Sequence, residues 1–355
     1  MTPNNKDILL NLIAKHKELG ISEQIDYNKF YLYSIITHST AIEGSTVTEV
    51  EAQLLFDEGI TSSKRTIMEQ MMNLDLKAAY DYGMQWISDH EDITVDWLIY
   101  LSSKVMARTG SEYKSLGGDF SSAKGELRKL NVTAGAGGRS YMHYQKVPMK
   151  LEAFCKELNE RRKQIDKNDI ASIYELSFWT HFELVTIHPW ADGNGRMSRL
   201  LMNLLQMEYG VLPTKVLKED KAEYIQALIN TREEENIDIF VDCMTRLHCQ
   251  HLKSDIDNFI ASMQEKIGDK SLFRDKIVDK LKETGDKLAI KDSIIDNLAI
   301  ILSYIDAHPH TKTDTLVKLV EKSPSTVKNY LTQLVALNLI EANGANKNRT
   351  YATKN

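Results

Sequence analysis

The residues best suited to chemistry fall in the run 188–203, HPWADGNGRMSRLLMN. A histidine, an acid, two glycines around an asparagine and two arginines stand within a dozen positions there. A glycine-rich turn opening a helix offers free backbone N–H groups and the positive end of the helix dipole, a natural anion site. Arg196 and Arg199 are cations on a helix rich in Met and Leu, and buried cations require anionic partners. Asp192 could hold a hard cation such as Mg²⁺ that bridges phosphates, and His188 can be a general base. Loop amides, two arginines, a metal-binding acid and a base together describe phosphoryl or nucleotidyl transfer.

Two helices must position these groups. Ile173, Tyr174, Phe178, Phe182 and Val185 mark the first, which Pro189 ends because the residue before a proline is pushed out of the α region. Gly193 and Gly195 permit a tight turn and close approach of a ligand. The second helix is predicted from Arg196 to Tyr209, with Gly210 as its stop. Met197, Leu200, Leu201, Met202, Leu204, Leu205 and Met207 surround it, so it should be buried on most sides. Arg196, Arg199, Asn203 and Gln206 form one polar stripe along it.

The run resembles the signature of the Fic family, roughly H-P-[FW]-x-[DE]-G-N-G-R-x-x-R, with Trp190 where Phe is usual. That exchange is expected to change packing and no chemical role. Upstream, Ser39-Thr40-Ala41-Ile42-Glu43-Gly44 resembles the family's inhibitory motif [ST]-x-x-x-E-[GN]. Read from the residues alone, Glu43 ends a helix over 27–43 that Gly44 terminates, where a carboxylate opposes the dipole by a few tenths to ~1 kcal/mol. It is then either a solvated surface group or one held by a cation. The resemblance implies the second, with Glu43 pairing Arg199.

The resemblance covers roughly 27–245 and implies a mainly α fold, a Fic-type helical bundle with a β-hairpin flap. It implies a protein adenylyltransferase that moves AMP from ATP to a Ser, Thr or Tyr hydroxyl of a target protein, with Mg²⁺ as cofactor. His188 would be the catalytic base. Gly193, Asn194 and Gly195 would supply the anion hole, Asp192 the metal site, and Arg196 and Arg199 the β- and γ-phosphate contacts. Family resemblance places Tyr224, and Asn230 with it, beside the adenine, although Tyr224 reads equally as core. Ser39 and Glu43 would form the brake. Removal of AMP from the target, another nucleotide or phosphocholine donor, and a DNA-binding regulator with a Fic sensor core are the alternatives.

Thr48 with Glu51 forms a capping-box pattern. A helix is expected over 93–109. The stretch 110–147 then breaks the pattern, and short β-prone runs at 130–132 and 141–144 around Gly135-Ala136-Gly137-Gly138 predict the flap. Strand addition on it would fix a hydroxyl-bearing segment with few side-chain contacts. His181 reads as a core histidine, and His248 with His251 as solvated surface.

The organisation read from the chain is an N-terminal helical region over 1–92, a catalytic core over 93–250, a helical linker over 251–292 with breaks at Gly268 and Gly285, and a small domain over 293–355. Three helices and the hairpin signal Asn343-Gly344 make that last domain resemble a winged helix-turn-helix. Lys328, Lys347 and Arg349 could touch DNA phosphates. Protein contact is the equal alternative.

With 355 residues and 42% hydrophobic content the chain reads as an ordinary globular protein. A formal net charge of −6 does not suggest a nucleic-acid binder as a whole. Three cysteines, Cys155, Cys243 and Cys249, without a C-x-x-C pair fit a reducing, cytoplasmic setting. No membrane association is expected. Self-modification and a homodimer are the remaining expectations about partners.

Overall fold

The computed structural model describes residues 1–24, 26–134, 140–268, 270–283, 292–344 and 349–354, the side chains of 263–271 and 292–293 excepted. The expected flap tip Gly135–Gly138, the break at Gly285 and the phosphate candidate Lys347 lie outside the described residues. The chain divides into two compact units, Met1–Ser254 and Asp255–Asn355.

The first unit is built from helices. They are α1 (Pro3–Glu18), α2 (Tyr27–Ile42), α3 (Glu49–Glu58), α4 (Ile67–Ile87), α5 (Val95–Val105), α6 (Val147–Gln164), α7 (Ile170–Ile187), α8 (Asn194–Glu208), α9 (Lys221–Glu234) and the start of α10 (Ile237–Gly268). Two short strands, β1 (Glu112–Tyr113) and β2 (Phe120–Ser121), pair antiparallel between α5 and α6. The Thr48–Glu51 capping box forms as the sequence predicts, and Thr66 with Glu69 repeats the device on α4.

α7 and α8 pack against each other at the centre. Two apolar clusters share them. Leu176, Leu184 and Ile187 of α7 join Met197, Leu200, Leu201, Leu204 and Leu205 of α8 in one cluster with α4, α5 and α6. Tyr174, Phe178, Phe182 and Val185 join Met202 in the other, with α1, α9 and α10. An α7 that is apolar on every side is the result of packing on two cores at once.

α8 starts two residues earlier than its apolar pattern, because Gly193 at φ 83° caps it and Asn194 is already helical. The flap flanks meet at a single antiparallel bridge, Thr133 with Ser140, extended by Tyr141 N–H to Val132 O at 3.1 Å. The expected hairpin is therefore a bridge at its described base rather than a long ladder.

The second unit holds the rest of α10, α11 (Lys270–Glu283), α12 (Asp292–Ala307), β3 (Thr311–Lys312), α13 (Thr313–Val320), α14 (Pro324–Ala336), β4 (Ile340–Asn343) and β5 (Thr350–Thr353). The strands pair antiparallel in the order β3-β5-β4. Phe273 and Ile277 of α11 are buried in this unit's core with Leu298, Leu302, Leu331 and Leu334. The stretch read as a linker thus contributes core residues. Ser323 caps α14 through Thr326 N–H, with Pro324 at the first helical position.

His248 departs from its solvated expectation. It is buried, with Nε2 at 3.0 Å from the Tyr174 hydroxyl. His251 lies 2.9 Å from Asp220 and is only 10% exposed. The helix that carries both is packed on the core, a tertiary fact that i, i+3 spacing does not reveal. Among the described residues no helix is long and apolar enough to cross a membrane. The three cysteines are buried free thiols.

Candidate active site at the α7–α8 junction

His188 closes α7 in the left-handed conformation, φ 52°. Its Nδ1 lies 3.2 Å from the Val185 carbonyl, so that nitrogen carries the proton and donates, leaving Nε2 as the basic atom. Burial lowers the His188 pKa to about 4; Arg128 and Arg232 push the same way, against the Val185 carbonyl and Glu43. The ring is neutral and basic at pH 7. Tyr141 stacks on it, with ring centroids 3.8 Å apart and planes at 16°.

The loop that follows is braced by two side chains. Asn194 accepts from Trp190 N–H at 3.1 Å and donates to Trp190 O at 2.9 Å. Its side chain therefore holds the loop, and what it offers a ligand is its backbone N–H. The Trp190 indole is fully buried and donates to Gly125 O at 2.8 Å. That bond adds a polar contact to the change in packing expected of Trp190, since a phenyl ring has no N–H to give.

Helix geometry leaves the N–H groups of Asn194, Gly195 and Arg196 without intrahelical acceptors; the first such bond runs from Met197 N–H to Gly193 O. Gly193 N–H is taken by Asp192 Oδ1 at 2.6 Å. Asp192 keeps 60% side-chain exposure and stands 3.8 Å from Arg196. Arg196 is buried yet poorly satisfied. It reaches Val105 O at 3.4 Å and Met106 Sδ at 3.1 Å, and its Nε has no hydrogen-bond partner. Such a cation is an open anion site.

Arg199 is satisfied by α2. Its Nε donates to Ser39 Oγ at 2.9 Å, and Nη2 donates to Ser39 O at 3.0 Å and to Glu43 Oε1 at 2.6 Å. Burial acts on both members of the Arg199–Glu43 pair, but their mutual attraction outweighs it. The guanidinium pKa is raised and the carboxyl held below its ordinary range. Of the two readings left open by the sequence, Glu43 is the one held by a cation. Lys221 donates to Ile42 O at 2.7 Å and closes the same helix end.

The lower half of the α8 stripe meets neutral partners. Asn203 donates to the Tyr80 hydroxyl, and Gln206 to Ser177 and Thr214. Tyr224, expected beside an adenine or in the core, is in the core. Its hydroxyl lies 2.9 Å from His181 Nε2, and burial raises its pKa, with the nearby Arg199 charge opposing. Asn230, half-buried, accepts from Gln226 at 2.7 Å.

Arg128, Tyr141 and Arg232 surround His188 and were not singled out by the sequence. No periodicity marks them, and the side-chain partners of Arg128 lie up to 60 positions away. A cleft of about 840 Å³ adjoins them, lined by Tyr141, Met142, Trp179, Phe182, Thr186 and Arg232 among others. A neutral base, a cluster of unpaired helix N–H groups and an unsatisfied guanidinium within one junction can activate a hydroxyl beside a bound polyanion.

Residues 92–206 match the model of the Fic/DOC family. The chain is 28% identical over 230 residues to "Protein adenylyltransferase Fic" of Nematostella vectensis, covering 64% of this chain and 48% of that protein. It is 27% identical over 217 residues to the protein of the same name from Drosophila melanogaster, covering 61% and 40%. The chain thus spans less than half the length of these curated relatives. In fold it is similar to a Fic domain containing signaling protein from Bacteroides thetaiotaomicron, with TM-score 0.58, 21% identity, and 70% and 96% coverage. A Fic family protein from Desulfovibrio desulfuricans matches along 100% of this chain and 97% of its own, with TM-score 0.55 and 17% identity.

Proposed function

We propose that this chain, whose residues 92–206 match the Fic/DOC family model, is a protein adenylyltransferase held silent by its own α2. It transfers AMP from ATP to a Ser, Thr or Tyr hydroxyl of a target protein. The observation that carries this reading is the Glu43 carboxylate on Arg199 at 2.6 Å, at the helix end built for an anion. The protein's own carboxylate occupies ground suited to a phosphate.

In the reaction, His188 Nε2 takes the proton of the target hydroxyl. The freed oxygen attacks the α-phosphate, the bond from that phosphorus to the bridging oxygen breaks, and pyrophosphate leaves. The amides of 194–196 and the Arg196 guanidinium neutralise the phosphates, and Arg199 joins them once Glu43 withdraws. Asp192, exposed and beside the amide cluster, suits Mg²⁺ held by one carboxylate and substrate phosphates, where the ion would neutralise phosphate charge. No group of three or more His, Cys, Asp or Glu side chains that could hold a metal occurs among the described residues. Tyr224 serves from the core, paired with His181, and Asn230 is the member of that pair left to meet a base. Self-modification, a homodimer and a cytoplasmic setting belong to the same reading.

The test uses purified wild type, Glu43→Gly and Glu43→Gly/His188→Ala, each with α-labelled ATP and Mg²⁺. Label on protein only in Glu43→Gly supports both chemistry and brake. Equal labelling by wild type and Glu43→Gly overturns the brake. Transfer from γ-labelled ATP instead points to phosphotransfer. A Glu43-dependent loss of label from a pre-modified target identifies the reverse, AMP-removing activity.

For residues 293–355 we propose DNA contact through α14. That helix, PSTVKNYLTQLVA, carries no acid, and Ser325, Lys328, Asn329 and Thr332 are exposed along it, with Arg349 exposed beside β5. Fluorescence anisotropy of labelled duplex with the full chain at two salt concentrations is the check. Salt-dependent binding supports it, and none at low salt leaves protein contact.

A further inference from the structure

Arg128 is an unusual cation. It is 2% exposed, and its hydrogen bonds run to backbone carbonyls: Nε to His188 O at 2.7 Å, Nη1 to Leu130 O at 2.8 Å and Nη2 to Met142 O at 2.7 Å. Its own N–H donates to Pro189 O at 3.0 Å. Burial lowers its pKa, as expected for a guanidinium that meets dipoles rather than a counter-ion. Burying a charge this way is costly, so what the arrangement provides is geometry. A guanidinium is a planar fork with five donors and can hold three carbonyls at fixed angles; an ammonium cannot.

The three carbonyls belong to the parts that must be in register. Leu130 lies on one flank of the flap and Met142 on the other, next to Tyr141. Val132 and Tyr141 close the flap base through the N–H···O bond of 3.1 Å. His188 is the base itself, in a left-handed conformation that few side-chain-bearing residues adopt. Tyr141, held by this base, lies face-on over the imidazole, and the Arg232 guanidinium stands 5.3 Å from the Tyr141 ring centre. Arg232 is in turn fixed by Thr186 Oγ1 at 3.2 Å.

We propose that Arg128 is a positioning residue that ties the flap to the general base, locking Tyr141 over His188 so that a segment docked on the flap arrives in register with Nε2. The role in transfer rests on the function proposed above; the clamp itself does not.

The test is therefore made first without turnover. Imidazole NMR of the full chain, with the His188 signal assigned by its loss in His188→Ala, gives the titration of that ring in wild type, Arg128→Lys, Arg128→Gln, Tyr141→Phe and Tyr141→Ala. The ionisable groups facing the ring are Arg128, Arg232, Glu43 and the stacked Tyr141. Arg128→Lys keeps the charge and loses the fork, and Tyr141→Ala removes no charge. Both are expected to move the His188 midpoint upward by about one pH unit or more as the ring gains water, while Tyr141→Phe keeps the wild-type titration. A shift in Arg128→Gln alone would reduce Arg128 to a nearby charge and overturn the proposal. Should Arg128→Gln fail to fold, Arg128→Lys and Tyr141→Ala still decide.

The second readout is label transfer in the Glu43→Gly background. Arg128→Lys is expected to lower kcat about tenfold or more with KM for ATP unchanged, because α8 holds the phosphates and Arg128 does not. Equal loss through KM for ATP would overturn it. A shifted His188 titration with no transfer in any variant keeps the clamp and discards the adenylyltransferase reading.

Discussion

The Glu43 carboxylate lies so close to Gly195 that a Cβ on that glycine would stand 2.5 Å from Oε1 and 3.1 Å from Arg199 Nη1. The first turn of α8 and the last turn of α2 are fitted to one another through a missing side chain. Gly195 makes room for the Glu43–Arg199 pair as well as for the loop.

Replacing Gly195 by Ala should therefore cost stability through Glu43. In a thermodynamic cycle, Gly195→Ala is expected to lower the unfolding free energy more in wild type than in Glu43→Gly, with a coupling of about 0.5–3 kcal/mol. Chemical denaturation of the four proteins measures it. Additive effects would show that the carboxylate gives way freely.

Glu43→Gly should raise labelling activity and lower stability together. Arg199 loses a partner, and Glu43 keeps 35% side-chain exposure. The cost is expected at about 1–3 kcal/mol, between the values for exposed and fully buried pairs. Thermal melts beside the labelling assay check both signs; a more stable Glu43→Gly would mean the pair is a net burden on the fold.

Acid should weaken this pair in a defined window. Glu43 has a folded pKa below its ordinary value of 4.5. Its contribution to stability is complete above the unfolded value and disappears as pH falls through the lowered folded value. The stability gap between wild type and Glu43→Gln should stay level from pH 7 to about 5 and close below that range. Denaturant midpoints across pH give the curve.

His188 shifts the other way in function. A histidine with pKa near 4 remains a free base through pH 5. Its lowered folded pKa means that the unfolded chain binds more protons between about 6.5 and 4, so stability falls as pH drops through that span. Buried His248, at about 3, extends the loss. In Glu43→Gly, the acid limb of kcat/KM should lie near pH 4–5; a limb near 6.5 would show that the base is solvated in the working enzyme.

Trp190→Phe, although it restores the residue usual in the family signature, should destabilise. It strands the Gly125 carbonyl, 2.8 Å from the indole N–H, at a glycine whose Cβ would stand 2.0 Å from Ile99 O. A loss of about 1–3 kcal/mol is expected for an unpaired buried carbonyl. Equal stability would mean that water replaces the indole.

The sequence by itself determined the mainly helical class, the α7–turn–α8 junction with its base, amides and arginines, the capping box at Thr48 and the three-helix, hairpin-bearing C-terminal end. These are local matters: helical periodicity, a proline after His188, glycines where the turn is tight. It also left Glu43 with two readings, a solvated surface group or one held by a cation, because a carboxylate at a helix C-terminus opposes the dipole.

Only the tertiary structure decided between those two readings, by setting Glu43 on Arg199, and whether Tyr224 and His248 face ligand, solvent or core. Those depend on which helix face meets which neighbour, and α7, α8 and α10 turn polar side chains inward that pattern alone cannot orient. Arg128 is the plainest case. Its role lies in three carbonyls from distant parts of the chain, and a backbone carbonyl carries no residue identity for a sequence to display.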